Sequence, residues 1–227
     1  MKKAFYIVLL YFVYSCSSES VPEGAFLGGQ IINPSSKTVS IYKNNKLLDS
    51  IVLGANNRFE RRYDSLDYGI FKFEHLPESQ TLLIEKGDSI WFRTNTTDFN
   101  SSLVFSGRGS AKNNFLMEIY LSLQKESSFL ASKYSNKSSD FGKIIDSLLQ
   151  EKRENWIKFD SINQLSPEAK IISQASYVYP YATRKERYAL IRGRNITLDQ
   201  DSLYYNFRKY LNFGEENLDF VKENAMH

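Results

Sequence analysis

Between residues 26 and 106 apolar and polar positions alternate in short runs; beyond residue 109 the apolar positions recur every three or four residues. Alternation places successive side chains on opposite faces of a strand, whereas the longer period gathers them on one face of a helix. The first region therefore predicts strands over 26–32, 38–42, 47–53, 58–63, 70–75, 81–85, 89–94 and 103–105. Val39 and Ile41 share a face, as do Phe71 with Phe73 and Leu82 with Ile84. Turn residues separate the runs: Asn33-Pro34, Asn44-Asn45, Gly54-Ala55-Asn56-Asn57, Asp67-Tyr68-Gly69, Pro77-Glu78 and Lys86-Gly87-Asp88. Lys86-Gly87-Asp88 reads as a hairpin tip that uses Gly87 for positive φ. Many short strands at close spacing, with no helical pattern among them, predict an antiparallel sandwich rather than a parallel α/β sheet.

After Gly107-Arg108-Gly109 the period changes. Ser110 is placed to cap a helix that gathers Phe115, Leu116, Ile119, Tyr120 and Leu123 on one face. A second helix does the same with Ile144, Ile145, Leu148, Leu149, Trp156 and Ile157, after a polar break at 135–139. Ser166-Pro167-Glu168 is a helix start with a cap and a proline in the first turn. Ile171, Ile172, Ala175 and Tyr179 follow, and Pro180 is expected to end or kink that helix. A last helix is expected from Asp199 or Asp201 through Leu203, Tyr204, Phe207, Tyr210 and Leu211. The class is α+β: an N-terminal antiparallel β-sandwich over 26–108, then an α-helical segment over 109–227.

The first residues carry a different signal. Lys2-Lys3, an apolar run over 4–14 and then Ser15-Cys16 form the charged, apolar and small-residue layout of a secretory leader. The run is far short of the roughly 20 residues needed to span a bilayer. Val13-Tyr14-Ser15-Cys16 further resembles a bacterial lipobox, which would make 1–15 a signal peptide and Cys16 the lipidated first residue. Residues 16–25 would then be a flexible tether, and the chain would sit on a membrane, facing periplasm or cell exterior, without crossing it.

Charge and composition narrow the function. The 227 residues carry a formal charge of +3, which falls to +1 without the two lysines of the leader. That balance gives no overall electrostatic case for nucleic acid. Cys16 is the only cysteine, and His75 and His227 are the only histidines. Disulfides, thiol nucleophiles, histidine triads and Cys/His metal sites have almost nothing to build on, so no cofactor, metal or catalytic residue is expected.

Several stretches have a familiar order: Gly29-Gln30-Ile31-Ile32-Asn33-Pro34, Leu83-Ile84-Glu85-Lys86-Gly87-Asp88-Ser89-Ile90, Phe105-Ser106-Gly107-Arg108-Gly109-Ser110-Ala111-Lys112-Asn113-Asn114-Phe115-Leu116 and Asn212-Phe213-Gly214-Glu215-Glu216-Asn217-Leu218. Together with the lipobox they resemble the N-terminal part of TlpA-like thiol-disulfide oxidoreductase lipoproteins of Bacteroidetes-type bacteria. The resemblance spans about residues 16–221. It implies a lipid anchor, a sandwich, a helical segment and, beyond them, a thioredoxin domain. That chemistry requires Cys-x-x-Cys, in which a thiolate attacks a disulfide. This chain has no such motif, so no redox residue carries over. Residues 220–227 read as a helix still under way, an expectation that favours a truncated reading frame. The resemblance implies a non-catalytic scaffold or partner-binding region associated with a thioredoxin-like domain. The alternative is a saccharide- or peptide-binding envelope lipoprotein.

Other candidates weigh less. Gly107-x-Gly109 before a helix lacks the remainder of a phosphate-binding fingerprint, because position 112 is lysine, and reads as a tight structural joint. Asp64, Asp67, Glu74 and Glu78 have no calcium-loop spacing. Trp91, Phe92 and Phe99 read as core. Arg184-Lys185-Glu186-Arg187 and Arg192-Gly193-Arg194 read as a solvated helix end. Tyr177, Tyr179 and Tyr181 flank the proline break and are the best candidates for lining a ligand groove. Asp-Ser followed by an aliphatic residue recurs six times and takes six of the eleven aspartates. It resembles the O-glycan acceptor motif of exported proteins in the same bacteria, with Ser50, Ser65, Ser89, Ser147, Ser161 and Ser202 as acceptors.

Overall fold

The computed structural model describes residues 24–66, 68–193 and 204–211. The leader, Cys16 and most of the tether, Ser202 and the 212–218 stretch lie outside the described residues.

The fold is α+β, with eight strands in two sheets followed by helices among the described residues. The strands are β1 (Ala25–Ile32), β2 (Thr38–Lys43), β3 (Lys46–Val52), β4 (Arg58–Tyr63), β5 (Gly69–His75), β6 (Glu78–Ile84), β7 (Ser89–Asn95) and β8 (Val104–Arg108). The first sheet has the order β4-β1-β7-β8 and the second β3-β2-β5-β6; neither closes on itself. All eight predicted strands are present. The sandwich is not wholly antiparallel, because β1 and β7 pair in parallel, Phe26 opposite Ser89 through Ile32 opposite Asn95. Nor is Lys86-Gly87-Asp88 a hairpin tip. β6 and β7 belong to different sheets, so the turn carries the chain across the sandwich. Asn44 and Asn45 do form the tip of a two-residue hairpin between β2 and β3. Their φ values of 50° and 58° are the left-handed pair that such a turn requires.

The inward residues of both sheets meet in one apolar core containing Leu27, Ile31, Val39, Ile41, Phe71, Phe73, Leu82, Ile90 and Phe92. Phe92 lies at its centre, with ring centroids 4.4 Å from Phe73, 5.1 Å from Phe59 and 5.9 Å from Phe105. Phe99, on the short helix α1 (Phe99–Ser102), closes one end.

Three long helices follow: α2 (Ser110–Ser132), α3 (Ser138–Asn163) and α4 (Pro167–Gly193). Ser110 is the first helical residue and not the cap; Gly109 occupies the cap position with φ 91°. Ser166 caps α4, its Oγ accepting the Ala169 N–H at 3.0 Å. Pro180 does not end α4, which continues thirteen residues further to Gly193. A mid-helix proline costs about 3 kcal/mol, and here α4 is buried against α2 and α3 on both sides of it, through Ala175, Tyr177, Tyr181 and Tyr188. The expected last helix is a 3-10 segment over Tyr204–Tyr210; residues 199–203 lie outside the described residues. Ile157 and Ile171, expected on apolar faces, are exposed.

Candidate functional site

The joint between sandwich and helices is built from buried polar side chains. Two adjacent asparagines in the first turns of α2 each grip a sheet edge. Asn113 accepts the Leu83 N–H at 2.8 Å and donates to the Leu83 C=O at 2.9 Å. Asn114 does the same for Phe105, both contacts at 2.9 Å. Leu83 is on β6, the edge of one sheet; Phe105 is on β8, the edge of the other. The two amides thus act as single-residue strands, satisfying edge groups that burial would otherwise leave unpaired.

Beside them Lys112, with only 6% of its side chain exposed, reaches Glu85 and Asp88, each at 2.7 Å. Asp88 also accepts the Glu85 N–H at 2.8 Å. The other Glu85 oxygen accepts the hydroxyl of Ser166, the α4 cap. Burial pushes the Asp88 carboxyl above the usual carboxylate range, against the opposing pull of Lys112. A Cβ on Gly109 would stand 2.5 Å from that carboxylate, which explains glycine here. The Gly107-x-Gly109 stretch is therefore a joint, with Lys112 turned to protein acids.

A second polar cluster lies among the helices. Glu126 of α2 accepts from Lys152 of α3 at 2.9 Å, and from Tyr181 and Arg184 of α4 at 2.5 and 3.0 Å. Burial alone would raise the Glu126 carboxyl, but the hydrogen bonds from Tyr181 and Lys152 outweigh it and hold the group below its ordinary value. Burial and the neighbouring carboxylate push the Tyr181 hydroxyl upward. Glu126 thus faces two cations, and the second negative charge comes from the more exposed Glu151, 3.2 Å from Lys152; with it the charges balance, as a buried cluster requires.

These contacts relocate the predicted site residues. Tyr177, Tyr179 and Tyr181 do not line a groove: all are buried, at 3%, 8% and 0% exposure. Four residues apart, Tyr177 and Tyr181 share a face, but Tyr177 packs with Phe115 and Ile119 whereas Tyr181 reaches the Leu130–Phe141 cluster. The continuous α4 turns them inward. The segment 184–187 is also not a solvated end. Arg184 pairs with Glu126, Lys185 with Asp146 at 2.6 Å and Glu186 with Arg208 at 2.5 Å. Asp64 is exposed and Glu74 pairs with Lys72; Asp67 lies outside the described residues. No group of metal-ligating residues is present among the described residues.

Of the five described Asp-Ser acceptors, Ser50, Ser65, Ser147 and Ser161 are exposed, whereas Ser89 is half-buried within β7. Each aspartate of these five pairs meets a cation: Asp49 with Arg61, Asp64 with Arg62, Asp88 with Lys112, Asp146 with Lys185 and Asp160 with Lys170. The buried pair at Asp88 gives the motif a structural use at that position; the exposed pair at Asp64 does not.

A crevice of about 670 Å³, open mouth included, runs along α2 between β6 and α4, lined by Ile70, Thr81, Leu116, Tyr120, Ile172 and Pro180 among others. Trp91 separates from the other two aromatics of its predicted group. Phe92 and Phe99 are core, but Trp91 is 38% exposed on the outer face of the first sheet. Strand alternation already set it opposite Ile90 and Phe92. The gripping asparagines, by contrast, had no periodic signal, only their place immediately after the change of period.

No protein-family model matches the chain, and no curated protein matches it in sequence. Among the described residues no helix is long and apolar enough to cross a membrane.

Proposed function

We propose that this chain is a lipid-anchored envelope protein whose sandwich and helices form a rigid, non-catalytic scaffold for a thioredoxin-like disulfide oxidoreductase. The leader and Cys16 support the anchor. The observation that carries the scaffold is the joint: Lys112, Asn113 and Asn114 tie both sheet edges and the α4 cap to one helix turn. Such a joint fixes the direction in which an attached domain is held. The buried polar clusters are satisfied within the protein, as expected of groups that hold shape.

The test is chemical cross-linking in intact source cells followed by isolation of the tagged full chain. The expected result is a membrane-bound, acylated chain cross-linked to a protein carrying Cys-x-x-Cys. Absence of acyl label on a chain with Cys16 intact overturns the anchor; an acylated chain with no Cys-x-x-Cys partner overturns the scaffold role. A second reading, saccharide binding, is favoured by Trp91 on its open sheet face.

A further inference from the structure

Among the described residues no element covers the outer face of the first sheet. Register places its outward residues in three rows: Arg62, Phe26, Ser89 and Arg108; then Glu60, Gly28, Trp91 and Ser106; then Arg58, Gln30, Arg93 and Val104. Four arginines face one glutamate. All four are exposed. Arg62 meets Asp64 only at 3.5 Å, both side chains over 70% exposed, and Arg58, Arg93 and Arg108 have no ion-pair partner among the described residues. A chain of net charge +3 thus gathers an equal excess on one sheet face.

Trp91 lies at the middle of this face. A Cβ on Gly28 would come within 2.9 Å of the six-membered ring of Trp91 and 3.0 Å of Phe26. The indole therefore lies across the glycine, pinned by Phe26 at 5.0 Å between centroids. One flat ring face is held down and rigid, with Gln30, Ser106, Glu60 and the arginines around it. A pinned ring is poorly placed to insert into a bilayer, but it offers a stacking surface at little entropic cost. The surrounding guanidinium groups are suited to carboxylates or sulfates.

We propose that this face binds an acidic saccharide, a sugar ring stacking on Trp91 while Arg58, Arg62, Arg93 and Arg108 take its anionic groups. The proposal rests on the saccharide reading and on export, which favours an extracellular polyanion over nucleic acid; charge complementarity selects the acidic class.

Calorimetric titration of the purified full chain tests it with four probes: a hexauronate, a neutral hexasaccharide, single-stranded DNA and phosphatidylglycerol vesicles. Saturable binding of the hexauronate is expected, weakened at least tenfold by Trp91→Ala and severalfold by Arg93→Gln, and declining with salt. Arg93→Gln alters only an exposed side chain, so its result stands even where Trp91→Ala misfolds. Binding of the neutral sugar alone, lost in Trp91→Ala, overturns the acidic assignment and leaves the saccharide reading intact. No sugar binding, or preference for DNA or vesicles, overturns both. Unchanged hexauronate affinity in Arg93→Gln and in folded Trp91→Ala overturns the site.

Discussion

The sandwich and the helices bury their interiors by different means. The sandwich core is apolar, an assembly of aliphatic and phenyl side chains around Phe92, with His75 and Thr94 the buried polar side chains of its strands. The helical interior is rich in tyrosines and charges, with Tyr181 on Glu126, Tyr188 on the Asn136 carbonyl and Tyr204 on the Lys185 carbonyl. An apolar core is set by shape and tolerates apolar exchange of similar volume. A polar core is set by directed bonds, and breaking one leaves a partner stranded. The joint lies where these regimes meet, and it is polar. Lys112, Asn113 and Asn114 belong to a helix yet satisfy groups of the sheets, so the two regions are expected to fail together.

The largest effect should come from Lys112→Met. Removing one member of a buried ion cluster leaves Glu85 and Asp88 uncompensated, and urea unfolding should show a loss of about 3–5 kcal/mol. Asn113→Ala should follow at about 2–4 kcal/mol, since Leu83 is fully buried and both its backbone groups lose partners. Asn114→Ala should cost less, about 1–2 kcal/mol, because its contacts with Phe105 are only partly buried. Equal costs for the two would remove the argument from burial.

Acid titration should separate the two polar clusters by sign. Glu126 is held below its ordinary 4.5, so its contribution is present above pH 4.5 and lost as pH falls through the lowered folded value. Asp88 is held above its ordinary 3.8, so ionising it weakens the fold, and its contribution declines as pH rises from 3.8 through the raised value. Lys152, held above 10.5 by its acids despite burial, contributes below pH 10.5 and loses that contribution as pH rises further. Urea midpoints across pH should show Glu126→Gln flattening the acid loss and Asp88→Asn removing the opposing trend. The smallest effect belongs to the open face: Arg93→Gln should change stability by under about 0.5 kcal/mol.

The strands were legible because a half-buried strand writes its burial into alternate residues, as Phe71 and Phe73 do. Which sheet each strand joins was not legible: the turn at Gly87 looks the same in a hairpin as in a crossing between sheets. At Pro180 local reasoning offered an end or a kink; the helix does not end there, because packing on both sides outweighs the local penalty. The tyrosines of α4 illustrate the ambiguity of an aromatic in a helix, since burial and a groove leave the same pattern. Asn113 and Asn114 were invisible because their partners are backbone atoms of strands reached only in three dimensions.

Each region contains one tryptophan, Trp91 in the sandwich and Trp156 in the helices. The rigid-joint account is tested most directly by urea unfolding followed by fluorescence in Trp156→Phe and Trp91→Phe chains, each leaving one reporter. The account predicts midpoints that agree once each chain's own stability, measured by circular dichroism, is taken into account, and that separate when Asn113→Ala is added. Two well-separated transitions with the joint intact would show that sandwich and helices fold independently and would contradict it.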